Sequence, residues 1–275
     1  MNKDLQNILE KLHQLRGIDF RHYRANMLQR RVTARLNQLG MDDFEQYLER
    51  LERDPAECDA LIDVIAINVS SFFRDPIFGE IIAQKILPDL IEKKNRAGMR
   101  ELRVWSAGCA AGEEIYSLAI LLQEALKKNA QLWTTYLFGT DIDNNALTRA
   151  AKAVYPRKSL VDTKLGVLDK YFEPEADQFK LKPAIRNMVR FSQDDLTSEE
   201  TDSPAESVFG EFDLIFCRNL LIYFDRELQQ RVMGKFLRSL APGGFLVLGN
   251  SETLAEEITP MFRAVDLRNR IYQKL

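Results

Sequence analysis

The sequence predicts an α/β chain in which a doubly wound parallel sheet follows a small all-helical unit and is interrupted by an inserted subdomain. Three observations predict it. Up to about residue 94, apolar residues recur at three- and four-residue spacing with almost no β-branched runs, the period of packed helices. After residue 100, short apolar runs alternate with helical stretches, the pattern of parallel strands joined by crossover helices. Between residues 154 and 188, a segment too long for an ordinary crossover loop breaks that alternation.

The helical part comes first. Helices are expected at 2–15, 20–39, 43–53, 56–68 and 76–94. In the second, Ala25, Leu28, Val32, Leu36 and Leu39 form one stripe and Gly40 stops the helix. The fourth is entered through Asp54-Pro55, with proline tolerated in the first turn. Between residues 11 and 39, Lys11, Arg16, Arg21, Arg24, Arg30, Arg31 and Arg35 stand against Asp19 alone, although the whole chain carries a formal charge of −3. So basic a segment suits an acidic partner.

The strands expected in the second part are LRVWSAG (102–108), YLFGTDI (136–142), VRFSQD (189–194), FDLIFCR (212–218) and FLVLGN (245–250), with helices over 113–128, 144–153 and 225–240. MFRAVDLRNRIYQKL can add two closing strands at the sheet edge, and the acidic stretch 194–211 reads as a surface loop. The division expected is a helical domain over 1–78 and a sheet domain over 79–275, the latter carrying the insertion at 154–188.

Composition narrows the function. At 275 residues, with 45% hydrophobic and 29% charged, the chain can bury a substantial core, which excludes wholesale disorder. No run approaches the about eighteen apolar residues of a membrane span, and MNKDLQNILE lacks the apolar block of a secretory signal. A cytoplasmic protein with no direct membrane insertion is expected. Three scattered cysteines and two histidines make a disulfide framework or a zinc site a poor fit.

SAGCAAGEE, residues 106–114, sits where the first strand gives way to its helix. Counted from Gly108, a G-x-G-x-x-G fingerprint would need glycine at Ala110 and Glu113, so the dinucleotide reading fails. Glu113 and Glu114 would also repel phosphate at that helix start. The turn suits an uncharged or cationic ligand instead. Asp141 ends the second strand and can accept the two hydroxyls of a ribose, whereas Asp143 reads better as the cap of the next helix. Arg218-Asn219 ends the apolar strand 212–217 at the crevice, which makes Asn219 a candidate ligand contact. Pro242-Gly243-Gly244 reads as a turn into the next strand.

A small-residue turn after strand one, an acid after strand two and a PGG turn before strand five together resemble class I methyltransferases that use S-adenosylmethionine. More specifically, INVSSFFRDP (67–76), VWSAGCAAGEEIYSLA (104–119), FGTDID (138–143) and FCRNLLIYFD (216–225) resemble the CheR family of chemotaxis receptor glutamate O-methyltransferases. The resemblance covers nearly the whole chain. It implies a Rossmann-like class I fold with an all-helical N-terminal domain and an inserted antiparallel β-subdomain. It also implies that Asn68, Ser70 and Arg74 form the linker side of the cofactor site and that Gly108 lies in its turn. Glu114 would hold the methionine portion and Asp141 the ribose, while Asp195-Leu196 and Asn219-Leu220 line the adenine and the reactive end. Ser70 stands where the family often has Thr, Asp195 where it often has Asn, and Asn250 where a GHSE-like motif has His.

The same resemblance implies the cytoplasmic helical region of chemoreceptors as partner and glutamyl methyl esters with S-adenosylhomocysteine as products. A monomer is expected, and nucleic acid is not, since no aromatic residues interleave with the arginines. Arg74 and Tyr223 are expected to orient the substrate carboxylate, and Arg24, Arg31 and Arg35 to grip an acidic helix. Relatives that dock on a receptor pentapeptide carry a short glycine-containing insertion in the β-subdomain; KYFEPEADQFKLKP lacks it, so independence from that tether is expected. Two other readings stay open: a different protein acceptor, and a non-catalytic module that senses the cofactor.

Overall fold

The structure, a computed structural model, describes residues 3–66, 70–127, 132–198, 203–204, 207 and 211–275. Helices α1 (Lys3–Arg16), α2 (Ala25–Gln38), α3 (Phe44–Arg53) and α4 (Pro55–Ala66) form the N-terminal unit. The apolar stripes close its core: Leu5, Ile8, Leu9 and Leu12 from α1 meet Leu28, Val32 and Leu36 from α2. Asp43 caps α3 by accepting the Glu45 N–H. Next come α5 (Pro76–Ile81), a π-turn over Ile82–Ile86 and α6 (Leu87–Arg96), one continuous helical run capped by Asp75. The wide turn precedes Pro88, whose ring would crowd the Gln84 carbonyl in a regular α-helix. None of the helices among the described residues is long and apolar enough to cross a membrane.

The remaining elements, in chain order, are β1 (Glu101–Ala107), α7 (Glu113–Leu126), β2 (Thr134–Asp141), α8 (Asn144–Lys152), β3 (Val154–Pro156), α9 (Leu165–Tyr171), β4 (Phe172–Glu175), β5 (Gln178–Leu181), α10 (Pro183–Arg186), β6 (Val189–Gln193), β7 (Phe212–Cys217), α11 (Arg226–Ser239), β8 (Leu240–Leu248), β9 (Phe262–Asp266) and β10 (Ile271–Lys274). The main sheet runs β6-β2-β1-β7-β8-β10-β9. Its first five strands are parallel, and the antiparallel β10 separates β8 from β9. The expected insertion folds as a separate antiparallel sheet, β3-β5-β4.

Strand alternation sends neighbouring side chains to opposite faces. Trp105, Phe212 and Ile215 join the core shared with the helical unit and α11, while Val104, Leu214 and Phe216 join the core under α5, α6 and α7. The N-terminal unit is thus continuous with one face of the sheet.

Two local departures have clear causes. Helix α2 starts at Ala25 rather than at residue 20, because Tyr23 pairs as an antiparallel bridge with Phe224 and that pairing needs extended backbone. The Arg24 N–H donates to the Tyr223 carbonyl at 2.8 Å and the Asp225 N–H to the His22 carbonyl at 2.9 Å. The expected PGG turn is instead part of β8, where the register against β7 shifts. A Cβ on Gly244 would lie 2.9 Å from the Ala241 carbonyl oxygen and 3.1 Å from that of Phe212, so only glycine lets the strands close there.

Candidate functional site

Strand order reverses on either side of β1, since the chain moves from β1 outward to β2 and β6 and later resumes at β7. A crevice opens at the carboxyl ends of strands flanking such a point. Here it is a cleft of about 1250 Å³ including its open mouth, roofed by the 70–75 linker and the start of α5. The turn from β1 into α7 forms its floor. Gly108 has φ 75°, the region that favours glycine, and a Cβ there would come 2.7 Å from Leu220 Cδ2 and force that side chain to shift. The N–H groups of Gly108 and Cys109 donate to the Thr140 carbonyl at 2.8 and 2.9 Å, and the Ala110 N–H donates to Asp141 Oδ2 at 2.8 Å. The turn is stitched to the end of β2, which accounts for Ala110 holding φ 49°.

Three acids surround this floor, Asp141 and Glu252 buried and Glu114 half-buried. Asp141 also accepts the Asp143 N–H at 3.0 Å through Oδ1. Burial pushes its carboxyl up against the pull of these backbone donors. A carboxylate has about four acceptor positions, so Asp141 can still take ligand hydroxyls. Glu114 accepts the Ser106 hydroxyl at 2.9 Å, and Arg218 Nη1 lies 3.7 Å from its Oε2. Burial raises its carboxyl too, opposed first by Arg218 and then by Ser106. Glu252 accepts N–H groups from Gly249, Asn219 and Ile222 at 2.6, 3.1 and 3.3 Å. It thereby fixes the loop after β7, including Asn219 in its left-handed conformation at φ 60°.

Ser70, Arg74, Gly108, Glu114, Asp141, Asp195, Leu196, Asn219, Leu220 and Tyr223 all line this one cleft, although they come from the linker and four separate strand ends. Asn68 lies outside the described residues. Asp143 caps α8 by accepting the Asn145 N–H, as expected.

The arginines expected to grip a partner are not brought together. Arg35 is committed to Glu57, at 2.9 and 2.7 Å, and Glu57 also accepts the Tyr47 hydroxyl. Arg31, half-buried, donates to the Val64 carbonyl of α4 at 3.4 Å. Both lie on the flank of α2 that packs on α4, and spacing alone could not tell that flank from an exposed one. Arg24 precedes the helix and is exposed. With Arg30, Asn26, Met27, Ile222 and Tyr223 it lines a second groove that shares Tyr223 with the cleft.

Four further residues shape the site, and of these only Asn250 is singled out by the sequence, as a departure from the family wording. Tyr23 reaches the cleft from the helical unit, with its hydroxyl pushed well up by burial and by Asp195 and Asp141. Asp75 faces Arg218, with Nη2 3.6 Å from its Oδ2. Asn250 Nδ2 lies 3.5 Å from the same oxygen, which gives that position a place in the site. Glu252 is the fourth, and its only sequence signal was an acid in a glycine-containing stretch after β8.

A carboxylate at Glu114, spare acceptor positions on Asp141, a floor of small residues and apolar walls from Leu196 and Leu220 match a ligand bearing an ammonium, adjacent hydroxyls and a flat ring. They do not match one bearing phosphates. S-adenosylmethionine has the first set of groups and lacks the last.

Comparison with known proteins agrees. The family described as CheR methyltransferase, SAM binding domain, matches residues 68–271, and CheR methyltransferase, all-alpha domain, matches residues 3–66. The chemotaxis protein methyltransferase of Salmonella typhimurium is 33% identical over 256 residues, covering 91% of this chain and 83% of that one. That of Borreliella burgdorferi is 30% identical over 254 residues, covering 91% and 88%. A 104.1 kDa protein from the hypE 3' region of Rhodobacter capsulatus is 34% identical over 271 residues, 98% of this chain but 27% of its own length. With helical unit and sheet both matched, and a cleft suited to a cationic nucleoside rather than a dinucleotide, the chain belongs to the CheR family of S-adenosylmethionine-dependent methyltransferases.

Proposed function

We propose that this chain methylates glutamate side chains of chemoreceptors in the cytoplasm, giving glutamyl methyl esters and S-adenosylhomocysteine. The observation that carries the reading is the position of Tyr223, which borders both the cleft and the arginine-bearing groove. A carboxylate arriving along that groove would meet the cleft at Tyr223. The bound donor supplies a methyl carbon already activated by its sulfonium. A glutamate is ionised at neutral pH, with a reference pKa of about 4.3, so no strong general base is needed. The remaining work is positioning and exclusion of water.

In this reading Glu114 holds the ammonium of the methionine portion, Asp141 the ribose hydroxyls, and Asp195, Leu196, Asn219 and Leu220 border the adenine and the reactive end. Ser70 and Arg74 close the linker side. Arg74 offers the incoming carboxylate a planar two-pronged donor and Tyr223 a neutral hydroxyl. The helical domain over about 1–78 presents the acceptor, with Arg24 and Arg30 as the exposed cations of the groove and Arg31 behind them.

Radiolabelled methyl transfer to receptor-containing membranes tests this directly. Base-labile label on the receptor is expected, and KM for receptor should rise severalfold between about 0.05 and 0.3 M salt as the arginines are screened. In an Arg24→Ala/Arg30→Ala variant that salt dependence should largely disappear. Base-stable label would point to a different acceptor group, and salt-insensitive kinetics would remove the electrostatic docking.

We further propose that the chain needs no pentapeptide tether. The β4–β5 hairpin turns through Ala176 and Asp177 alone, which leaves no room for the insertion carried by tethered relatives. Calorimetry with an isolated receptor C-terminal pentapeptide should give no heat of binding at millimolar peptide. A measurable saturable isotherm would refute this.

A further inference from the structure

Arg218 directly follows β7, one residue before the left-handed Asn219, and its side chain is 9% exposed. A cation this deep normally makes close, forked bonds to an acid. Arg35 does so with Glu57 in this same chain. Arg218 does not. Its Nη1 stands 3.7 Å from Glu114 Oε2, its Nη2 stands 3.6 Å from Asp75 Oδ2, and its Nε has no hydrogen-bond partner among the described residues. The guanidinium carbon lies 4.0 Å from the centre of the Phe78 ring, a flat support that leaves the guanidinium edges to the two acids. Such an arrangement supplies a fixed positive field to both carboxylates without binding either one tightly.

We propose that Arg218 is a positioning residue for the methyl donor: it is the counter-ion that keeps Glu114 ionised inside the cleft, ready for the donor's ammonium. The inference rests on the reading that Glu114 takes that ammonium. Arg218 itself need not touch the donor.

The groups facing Glu114 explain why this one matters. Ser106 donates a single hydroxyl, and Arg74 pulls the carboxyl down less than Arg218 does, while Glu252 pushes it up. The thiols of Cys109 and Cys217, buried and raised well above their ordinary value, contribute no charge. Asp141 sits across the turn and Asp75 on the far side of Arg218, both negative and both unhelpful to a second carboxylate. Without Arg218, the largest opposition to burial at Glu114 would be gone, leaving Ser106 and Arg74. Its carboxyl would then hold a proton nearer neutrality, and a protonated Glu114 cannot pair with an ammonium. The sign is fixed: binding would weaken as pH falls, about tenfold per unit once below the raised pKa.

Calorimetric titration of S-adenosylhomocysteine across about pH 6 to 8.5 provides the test, because it reads affinity rather than turnover. Wild type is expected to bind with little dependence on pH. Arg218→Gln should bind roughly tenfold or more weakly at the acid end and recover toward wild type at the alkaline end, and Arg218→Lys, which retains the charge, should restore the flat profile. Loss by the same factor at every pH would mark Arg218 as merely structural and overturn the proposal, as would wild-type affinity throughout. If Arg218→Gln fails to fold, the same change in a Glu114→Gln background removes both charges together. There it should alter affinity by less than about twofold, because its route to the ligand is gone, and a larger further loss would overturn the proposal. Wild-type affinity in Glu114→Gln alone would instead overturn the assignment of Glu114 and leave this inference without a basis.

Discussion

Arg74→Ala is expected to lower kcat/KM for methyl transfer by roughly a hundredfold or more, the scale of losing one preorganised donor at a reacting group. The melting temperature should scarcely move. Arg74 is exposed on the linker, and the backbone on either side of it makes hydrogen bonds of its own. The Phe72 N–H donates to the Ser159 carbonyl at 2.8 Å, the Phe73 N–H to Ser117 Oγ at 3.1 Å, and Asp75 accepts the Phe78 N–H at 3.2 Å. Removing the guanidinium therefore empties one wall of the cleft without releasing the segment that carries it. Arg74→Lys keeps the charge but not the fork and should fall between the two. Steady-state kinetics with receptor membranes, alongside thermal unfolding, separates these effects. Turnover within about threefold of wild type in Arg74→Ala would take Arg74 out of the mechanism.

Asp141→Ala should damage both binding and stability. The carboxylate accepts the N–H groups of Ala110 and Asp143, and leaving two buried donors unpaired costs about 1–3 kcal/mol each. For a chain of this length that corresponds to a fall of several degrees in melting temperature. The turn at Gly108–Gly112 would lose its link to Asp141, and the ribose its acceptor, so affinity for S-adenosylhomocysteine should drop by roughly a hundredfold. Calorimetry and thermal unfolding on the same preparation distinguish the two roles. A lower melting temperature with affinity kept within about threefold would reduce Asp141 to a rivet of the turn.

The burial that suits these acids to a cationic ligand also works against the fold. The carboxyls of Asp141, Glu114 and Glu252 are all raised by burial. An acid with a raised folded-state pKa favours the folded chain at low pH, and that contribution is lost as pH rises through the raised value. At neutral pH these groups weaken the chain, a burden concentrated at the cleft and relieved when a cation is bound.

Much of this was legible in the amino-acid order because it depends on local chemistry. The period change near residue 100 separates a helical unit from an alternating one, since a helix and a strand bury apolar faces at different spacings. Gly108 and Asp141 stand out because a strand end in a parallel sheet is where a chain can meet a ligand. The class I fold and the CheR resemblance followed from motifs in their order along the chain. Less legible was anything that depends on what lies across a gap in sequence. Tyr23 looked like part of a helix until its partner, Phe224, was in place about two hundred residues away. Arg35 looked like a free cation until Glu57 of α4 was seen to take both its prongs. Asn250 had no assignment until Asp75 stood beside it.

By itself, then, the order of residues determined the elements, the sheet class, the turn and the acids around it, because helix period, strand alternation and backbone freedom act within a few residues. Tertiary structure alone decided which charges remain available. Arg31 and Arg35 are drawn into the helical unit, Arg24 and Arg30 stay at the groove, and Arg218 is suspended between two acids. Whether a side chain is committed or available depends on partners that folding brings from distant parts of the chain, and on how far burial strips water from them.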